Sequence, residues 1–135
     1  MRIAAIDYGE RRIGIALSDS NGRIALPLTT VEGGRKAVSN VLKALESYKG
    51  QIQLIVIGLP LLMNGKEGPM AQQVHTFAKQ LEEASQLRIV FVDERLSSAQ
   101  ADKRLQEIPM NRKARSAKID MTAATLLLQH YLDSR

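Results

Sequence analysis

Apolar and polar positions alternate along the chain with a period that changes from strand-like to helical and back. Residues 2–7 ("RIAAID") and 13–18 ("IGIALS") are short apolar runs joined by the polar turn "YGERR", and they predict two strands. Asn21-Gly22 is a strong hairpin signal leading into a third strand near residues 23–31. Pro27 marks that strand as an edge, since proline donates nothing to a ladder. The period then becomes helical: "RKAVSNVLKALESY" (35–48) brings Val38, Val41, Leu42, Leu45 and Tyr48 onto one stripe. "QLIVIGLP" (53–60) is continuously apolar, as a strand buried on both faces would be. After the loop "LPLLMNGKEG" (59–68), Pro69 opens a helix with Met70, Val74, Phe77, Ala78 and Leu81 on one face. "RIVFVDER" (88–95) predicts a fifth strand. Ser97 and Gln100 then form a capping box for a short helix that breaks near Pro109. "PMNRKARSAK" (109–118) is basic and poor in core residues and predicts a mobile loop, with a last helix from about Ala117 to Leu132.

The order β-β-β-α-β-α-β-α-α predicts an α/β fold, a mixed sheet with helices on both faces. Right-handed crossovers set the fourth and fifth strands parallel to the first. At 135 residues the chain fits one domain, 1–135. It has no cysteine, which excludes disulfides and thiolate metal sites and is compatible with a reducing cytoplasm. An acid at position 7 comes too early for the apolar core of a signal peptide. No apolar run approaches the roughly 18 residues of a membrane span. The expected location is therefore cytoplasmic, without membrane contact.

Charge changes the picture more than composition does. The formal net charge is +5, which by itself is a weak pointer to a polyanionic partner. Its distribution is sharper: Lys103, Arg104, Arg112, Lys113, Arg115 and Lys118 crowd one segment, opposed only by Glu107.

Three acids occupy awkward positions. Asp7 ends a strand that should be central, where a carboxylate costs several kcal/mol unless it is paired or bound to a metal; the alternative is a turn aspartate capping the "DYG" bend. Gly9 suits either a tight turn or a close backbone approach. Glu94 follows Asp93 at the end of the fifth strand, and adjacent strand residues point to opposite faces, so only one of the two can serve a given site. The alternative for Glu94 is a surface ion pair with Arg95, worth little. Asp120 falls in the first turn of the expected last helix, with Ala124, Leu127 and Tyr131 at i+4, i+7 and i+11, so it borders the buried stripe; a first-turn Asp is also favoured by the helix dipole alone. Together the three carboxylates form a hard-oxygen set suited to Mg²⁺ or Mn²⁺, one ion or two, of the kind that supports phosphodiester cleavage. The basic segment would supply phosphate contacts. His75 and His130 show no ligand spacing and read as surface or core packing residues, and Ser97 and Ser98 read as caps.

"IDYGERRIGIALSD" (6–19), "VIGLPLLMNGKEGPMA" (56–71), "VDERLSSAQA" (92–101) and "KIDMTAATLLLQHYL" (118–132) resemble, in order, four signature blocks of the YqgF family, relatives of RuvC-type Holliday-junction resolvases. The resemblance spans nearly the whole chain. It implies a ribonuclease H-like fold with strand order 3-2-1-4-5 and a metal-dependent nuclease that processes the 5′ end of precursor 16S ribosomal RNA or resolves branched DNA. It also implies that Asp7, Glu94 and Asp120 are the catalytic and metal-binding acids, and that Arg12 and Arg95 contact the nucleic-acid backbone. With these, Arg11, Lys66, Arg112, Lys113, Arg115 and Lys118 make up the expected nucleic-acid-binding set. The expected assembly is a monomer or weak homodimer.

Two departures from the family pattern stand out. Asn64 and Lys66 replace the usual Asp and Ser or Thr around Gly65 and make that loop more positive. Gly58 stands on the fourth strand where related resolvases carry an acid, so the site depends on Glu94 reaching across from the fifth. Two other readings compete with a nuclease. One is a non-catalytic RNA-binding assembly factor. The other is a nucleotide-binding protein of the actin and sugar-kinase type, for which the chain is about half the needed length.

Overall fold

The structure, a computed structural model, describes residues 1–95 and 112–135, with side chains in the second stretch from Thr122 onward. The two opening apolar runs form β1 (Arg2–Asp7) and β2 (Arg12–Ser18), and the third strand is β3 (Ala25–Glu32). A short helix α1 (Ala37–Leu45) leads to β4 (Ile52–Leu59). Helix α2 (Pro69–Ser85) starts at its proline, as expected, and β5 (Arg88–Asp93) follows. The last helix, α3, runs from Arg112 to Ser134. The capping box at Ser97 and Gln100 and the short helix toward Pro109 lie outside the described residues, as do Lys103 and Arg104.

One five-stranded sheet has the order β3-β2-β1-β4-β5. β1 and β2 are antiparallel, as are β2 and β3, while β4 runs parallel to β1 and β5 parallel to β4. This is the mixed topology expected. Pro27 sits on edge strand β3 opposite Ala16, where the register slips by a residue, so its missing N–H disturbs only an irregular stretch.

Strand alternation sorts the core onto two faces. Ala4 and Ile6 of β1, Ile13 and Ile15 of β2, and Ile55 and Ile57 of β4 pack against α1 and α2 through Val41, Leu45, Val74, Phe77 and Leu81. Ile3 and Ala5, Ala16, and Leu54 and Val56 pack on the other face against Ala124, Leu127, Leu128 and Leu132 of α3. Burial on both faces explains the uninterrupted apolar run of β4. Each fully buried Ile or Leu contributes about 1.5–3 kcal/mol, so both layers are needed to hold the sheet. The C-terminal half of α3 is also tied down by polar contacts. Gln129 accepts from the Ala25 backbone N–H at 2.9 Å and donates to the Arg23 carbonyl at 3.1 Å, and Arg135 donates to the Gly22 carbonyl at 2.5 Å.

The last helix corrects the sequence expectation. It begins at Arg112 and not near Ala117, so the basic stretch expected as a mobile loop is helical from that point. The segment has no apolar stripe, but Arg, Lys and Ala are strong helix formers and continue the turn of the buried half.

Candidate active site

The two faces of the sheet decide which acids can meet. On β1, Ile3 and Ala5 face α3, so the next residue of that parity, Asp7, belongs to the same side. On β4, Leu54 and Val56 face α3, which puts Gly58 there as well; on β5, Val90 and Val92 do so, and Glu94 is the next of that parity. The register brings these rows together. Ile6 lies opposite Ile57, so Asp7 follows beside Gly58, and Gly58 lies opposite Val92.

Glu94 stands just past the end of β5 and lies back over β4. A Cβ built on Gly58 would lie 2.6 Å from Glu94 Oε2 and 2.9 Å from Glu94 Cβ, closer than real atoms approach. The bare glycine is therefore the space Glu94 occupies, and the carboxyl reaches Asp7, to which it is hydrogen-bonded. Burial pushes the Glu94 carboxyl above its usual range, the negative charge of Asp93 adds to this, and the bond to Asp7 opposes it. Glu94 Oε2 is buried and has no hydrogen-bond partner among the described residues. Leaving such an atom unsatisfied costs about 1–3 kcal/mol, more if it is charged. A proton or a small cation would satisfy it, and two carboxylates side by side are a hard-oxygen donor set that fits Mg²⁺ or Mn²⁺. Among the described residues no group of three Asp, Glu, His or Cys side chains comes together.

Asp120 belongs to α3 by its backbone, more than two turns in from Arg112. Helical spacing puts its position on the stripe of the buried Ala124 and Leu127. Leu127 itself is at the site, with Cδ2 3.3 Å from where a Gly58 Cβ would be. Asp120 is about 10 Å along the axis from Leu127, toward the helix start. The dipole explanation for this Asp required a first-turn position; at its actual depth the dipole has faded.

The remaining acid of the D-E-R stretch has a different partner. Arg95 Nη2 donates to Asp93 Oδ2 at 2.7 Å, and Nε donates to both carboxylate oxygens at 3.1 and 3.0 Å. Arg95 Nη1 donates to the Leu62 carbonyl at 3.1 Å. This guanidinium holds the Asp93 carboxyl below its usual range. The ion pair considered for Glu94 is thus made by Asp93, which frees Glu94 for the site. β5 also ends at Asp93, two residues short of the expected Arg95.

The other expected basic contacts surround this end of the sheet. Arg12 opens β2 on the α3-facing parity of Ala16, and Asp7 pairs with Gly14 two residues along. Arg11 is exposed in the β1–β2 turn, where its carbonyl accepts from Gly33 N–H at 2.8 Å. That turn needs Gly9, because a Cβ there would lie 2.5 Å from the Arg12 carbonyl oxygen. Lys66 is exposed on a turn beyond β4 closed by Leu62 N–H to Lys66 O at 2.8 Å and by Lys66 N–H to Asn64 Oδ1 at 2.9 Å. Arg112, Lys113, Arg115 and Lys118 lie on α3, so their backbone spacing is fixed. His75 is 2.9 Å from Glu67 and packs edge-on against Phe91, a surface contact as expected.

Sequence reasoning missed the use of Gly58, reading it only as a missing acid, and missed the Asp93–Arg95 pair. Parity carried both signals: Asp93 and Arg95 are two apart, and Val90, Val92 and Glu94 share one side.

Comparison with known proteins gives a consistent picture. A protein of Protochlamydia amoebophila named "Putative pre-16S rRNA nuclease" is 43% identical over 141 residues, covering 99% of this chain and 94% of that protein. A protein of the same name from Roseiflexus sp. is 40% identical, covering 99% and 95%. Among solved structures, Thermus thermophilus RuvC aligns with a TM-score of 0.60 at 14% identity, over 100% of this chain and 96% of that one. Fowlpox virus resolvase, solved with Holliday junction DNA, aligns with a TM-score of 0.56 at 14% identity, over 99% and 98%. At such identity these two show a shared fold. The sequence profile of the family described as "RuvX: Holliday junction resolvase" matches residues 1–134, and with full-length relatives at about 40% identity this chain belongs to that family, the one its four sequence blocks resemble under the name YqgF.

Proposed function

We propose that this chain is a divalent-metal-dependent endonuclease that cuts precursor 16S ribosomal RNA at its 5′ side, as a cytoplasmic single-domain protein in monomeric or weakly dimeric form. The family is one of phosphodiester-hydrolysing nucleases. The observation that carries the metal-dependent reading is the buried Oε2 of Glu94, held beside Asp7 without a hydrogen-bond partner among the described residues. Asp7 and Glu94 would hold Mg²⁺ or Mn²⁺, with Asp120 as the third acid.

When bound, the cation supplies charge stabilisation for the scissile phosphate and a lowered pKa for the attacking water. The chain's own residues do the rest. β1 fixes Asp7, and Glu94, lying over Gly58, is fixed against it. Burial pushes the Glu94 carboxyl upward and its bond to Asp7 opposes this, so the two acids behave as one coupled pair. A bound cation would be held by both groups in their ionised form. Arg11, Arg12 and Lys66 lie at the same end of the sheet, and Arg112, Lys113, Arg115 and Lys118 are carried by α3. These positive groups would hold the phosphate backbone so that one linkage rests over the acids. Arg contributes forked contacts and Lys point charges.

A second reading, cleavage of branched DNA, is favoured by the description of the matching family. One assay addresses both: precursor 16S RNA and a four-way DNA junction are incubated side by side with wild type and Asp7→Asn, with and without Mn²⁺. The expected result is Mn²⁺-dependent cutting of the RNA by wild type, reduced at least 1,000-fold in the variant with RNA binding retained. Preferential cutting of the junction would favour the second reading. Equal activity of wild type and Asp7→Asn would contradict both.

A further inference from the structure

We propose that Arg95 is a positioning residue that, with Asp93, clasps the end of β5 so that Glu94 is held across β4, and that it does not contact phosphate. The proposal deepens the reading of Asp7 and Glu94 as cation ligands and rests on it for its catalytic consequence.

The geometry at the end of β5 carries the inference. Asp93, the last residue of β5, and Arg95 flank Glu94 and turn toward each other. Their side chains are locked by three contacts between 2.7 and 3.1 Å, and the Arg95 backbone N–H also donates to Asp93 Oδ1 at 3.1 Å. Tying these neighbours together turns the residue between them to the α3 side, over Gly58. The guanidinium also grips the Leu62 carbonyl, so the exit of β5 is fastened to the segment that leaves β4. The backbone alone fastens it weakly, since Glu94 N–H reaches the Leu59 carbonyl only at 3.4 Å. Nε and Nη2 are engaged by the carboxylate and Nη1 by the carbonyl. Three of its five N–H donors are so engaged, among them the Nε–Nη2 fork that a guanidinium makes best, which leaves an incoming phosphate only the two remaining donors. Both partners are 41% exposed, so the pair adds little to stability, and its consequence is geometric.

The test compares Arg95→Ala, Arg95→Lys and Asp93→Asn with wild type by three readouts. The first is the NMR cross-peak between Gly58 Hα and the Glu94 side chain. The second is Mn²⁺ affinity, and the third is kcat against the Kd for precursor 16S RNA. All three variants are expected to lose the cross-peak and bind Mn²⁺ about tenfold or more weakly, the usual cost of removing a group that orients a metal ligand. Their kcat should fall by a similar factor while the RNA Kd stays within twofold. Lysine should fail to rescue, because it keeps the charge but not the fork. An intact cross-peak with unchanged Mn²⁺ affinity in all three would overturn the clasp. So would a weaker RNA Kd in Arg95→Ala that is rescued in Arg95→Lys and unaffected in Asp93→Asn, the pattern of a phosphate contact. If wild type neither binds Mn²⁺ nor cuts, the catalytic reading fails, while the cross-peak still decides whether the clasp holds Glu94.

Discussion

At Gly58 the lack of a side chain sets where an acid can lie, because a Cβ would sit 2.6 Å from Glu94 Oε2 and 2.9 Å from Glu94 Cβ. Neither contact is relieved by moving a flexible tip alone, since the second is to the root of the side chain. Gly58→Ala therefore either displaces Glu94 from Asp7 or strains the strand by about 1–3 kcal/mol. The expected outcome is a loss of at least tenfold in Mn²⁺-dependent cleavage with RNA binding retained, read in single-turnover kinetics. Full activity in Gly58→Ala would mean that Glu94 does not work from over β4. Here the sequence was half legible. A missing acid on strand four and the need for Glu94 to reach across came from setting the chain against the family pattern it resembles. That the glycine is itself the resting place of the carboxylate depends on register and parity across three strands, which no single stretch contains.

Among the elements, the β2–β3 hairpin and α3 hold the frame on which the acids sit. The hairpin is closed by Asp19, whose Oδ1 accepts from Arg23 N–H at 2.8 Å and Ile24 N–H at 3.1 Å. Those two backbone donors, the Ile24 bond first, hold the Asp19 carboxyl below its ordinary 3.8. A depressed folded-state pKa adds stability above the unfolded value, and that stability is lost as pH falls through the folded value. Asp19→Asn, which keeps an oxygen acceptor but not the charge, should melt below wild type at pH 7. The gap should close as pH is lowered below 3.8, measured by thermal unfolding across that range. A gap that stays constant with pH would show that charge at Asp19 does not contribute. For α3 the sequence was misleading at one end only. The apolar stripe from Ala123 to Leu132 marks the buried half. The basic half has no stripe to mark it, so its helicity had to come from propensity and from continuity with the part packed on the sheet.

For the whole molecule, the sheet order and the two-faced core were legible because burial leaves a period in the sequence: alternation in β1 and β2, a continuous run in β4, and a stripe in α2. From the sequence, Asp7, Glu94 and Asp120 were expected to converge at one edge of the sheet. In the structure parity and register bring Asp7 and Glu94 together, while the side chain of Asp120 lies outside the described residues. What joins distant parts of the chain is the end of the sheet where β1, β4 and β5 finish side by side, the place where open α/β sheets collect ligands. On the proposed reading, the basic residues would hold the nucleic acid and the acidic pair would cut it, so affinity and cleavage should separate on mutation.

The central claim is that Asp7 and Glu94 jointly bind one divalent cation, and the most direct measurement is Mn²⁺ titration by electron paramagnetic resonance of wild type, Asp7→Asn and Glu94→Gln. The account predicts a tight site in wild type that weakens by about 100-fold or more in each variant, roughly 2.7 kcal/mol. The same Mn²⁺ affinity in all three proteins would contradict it.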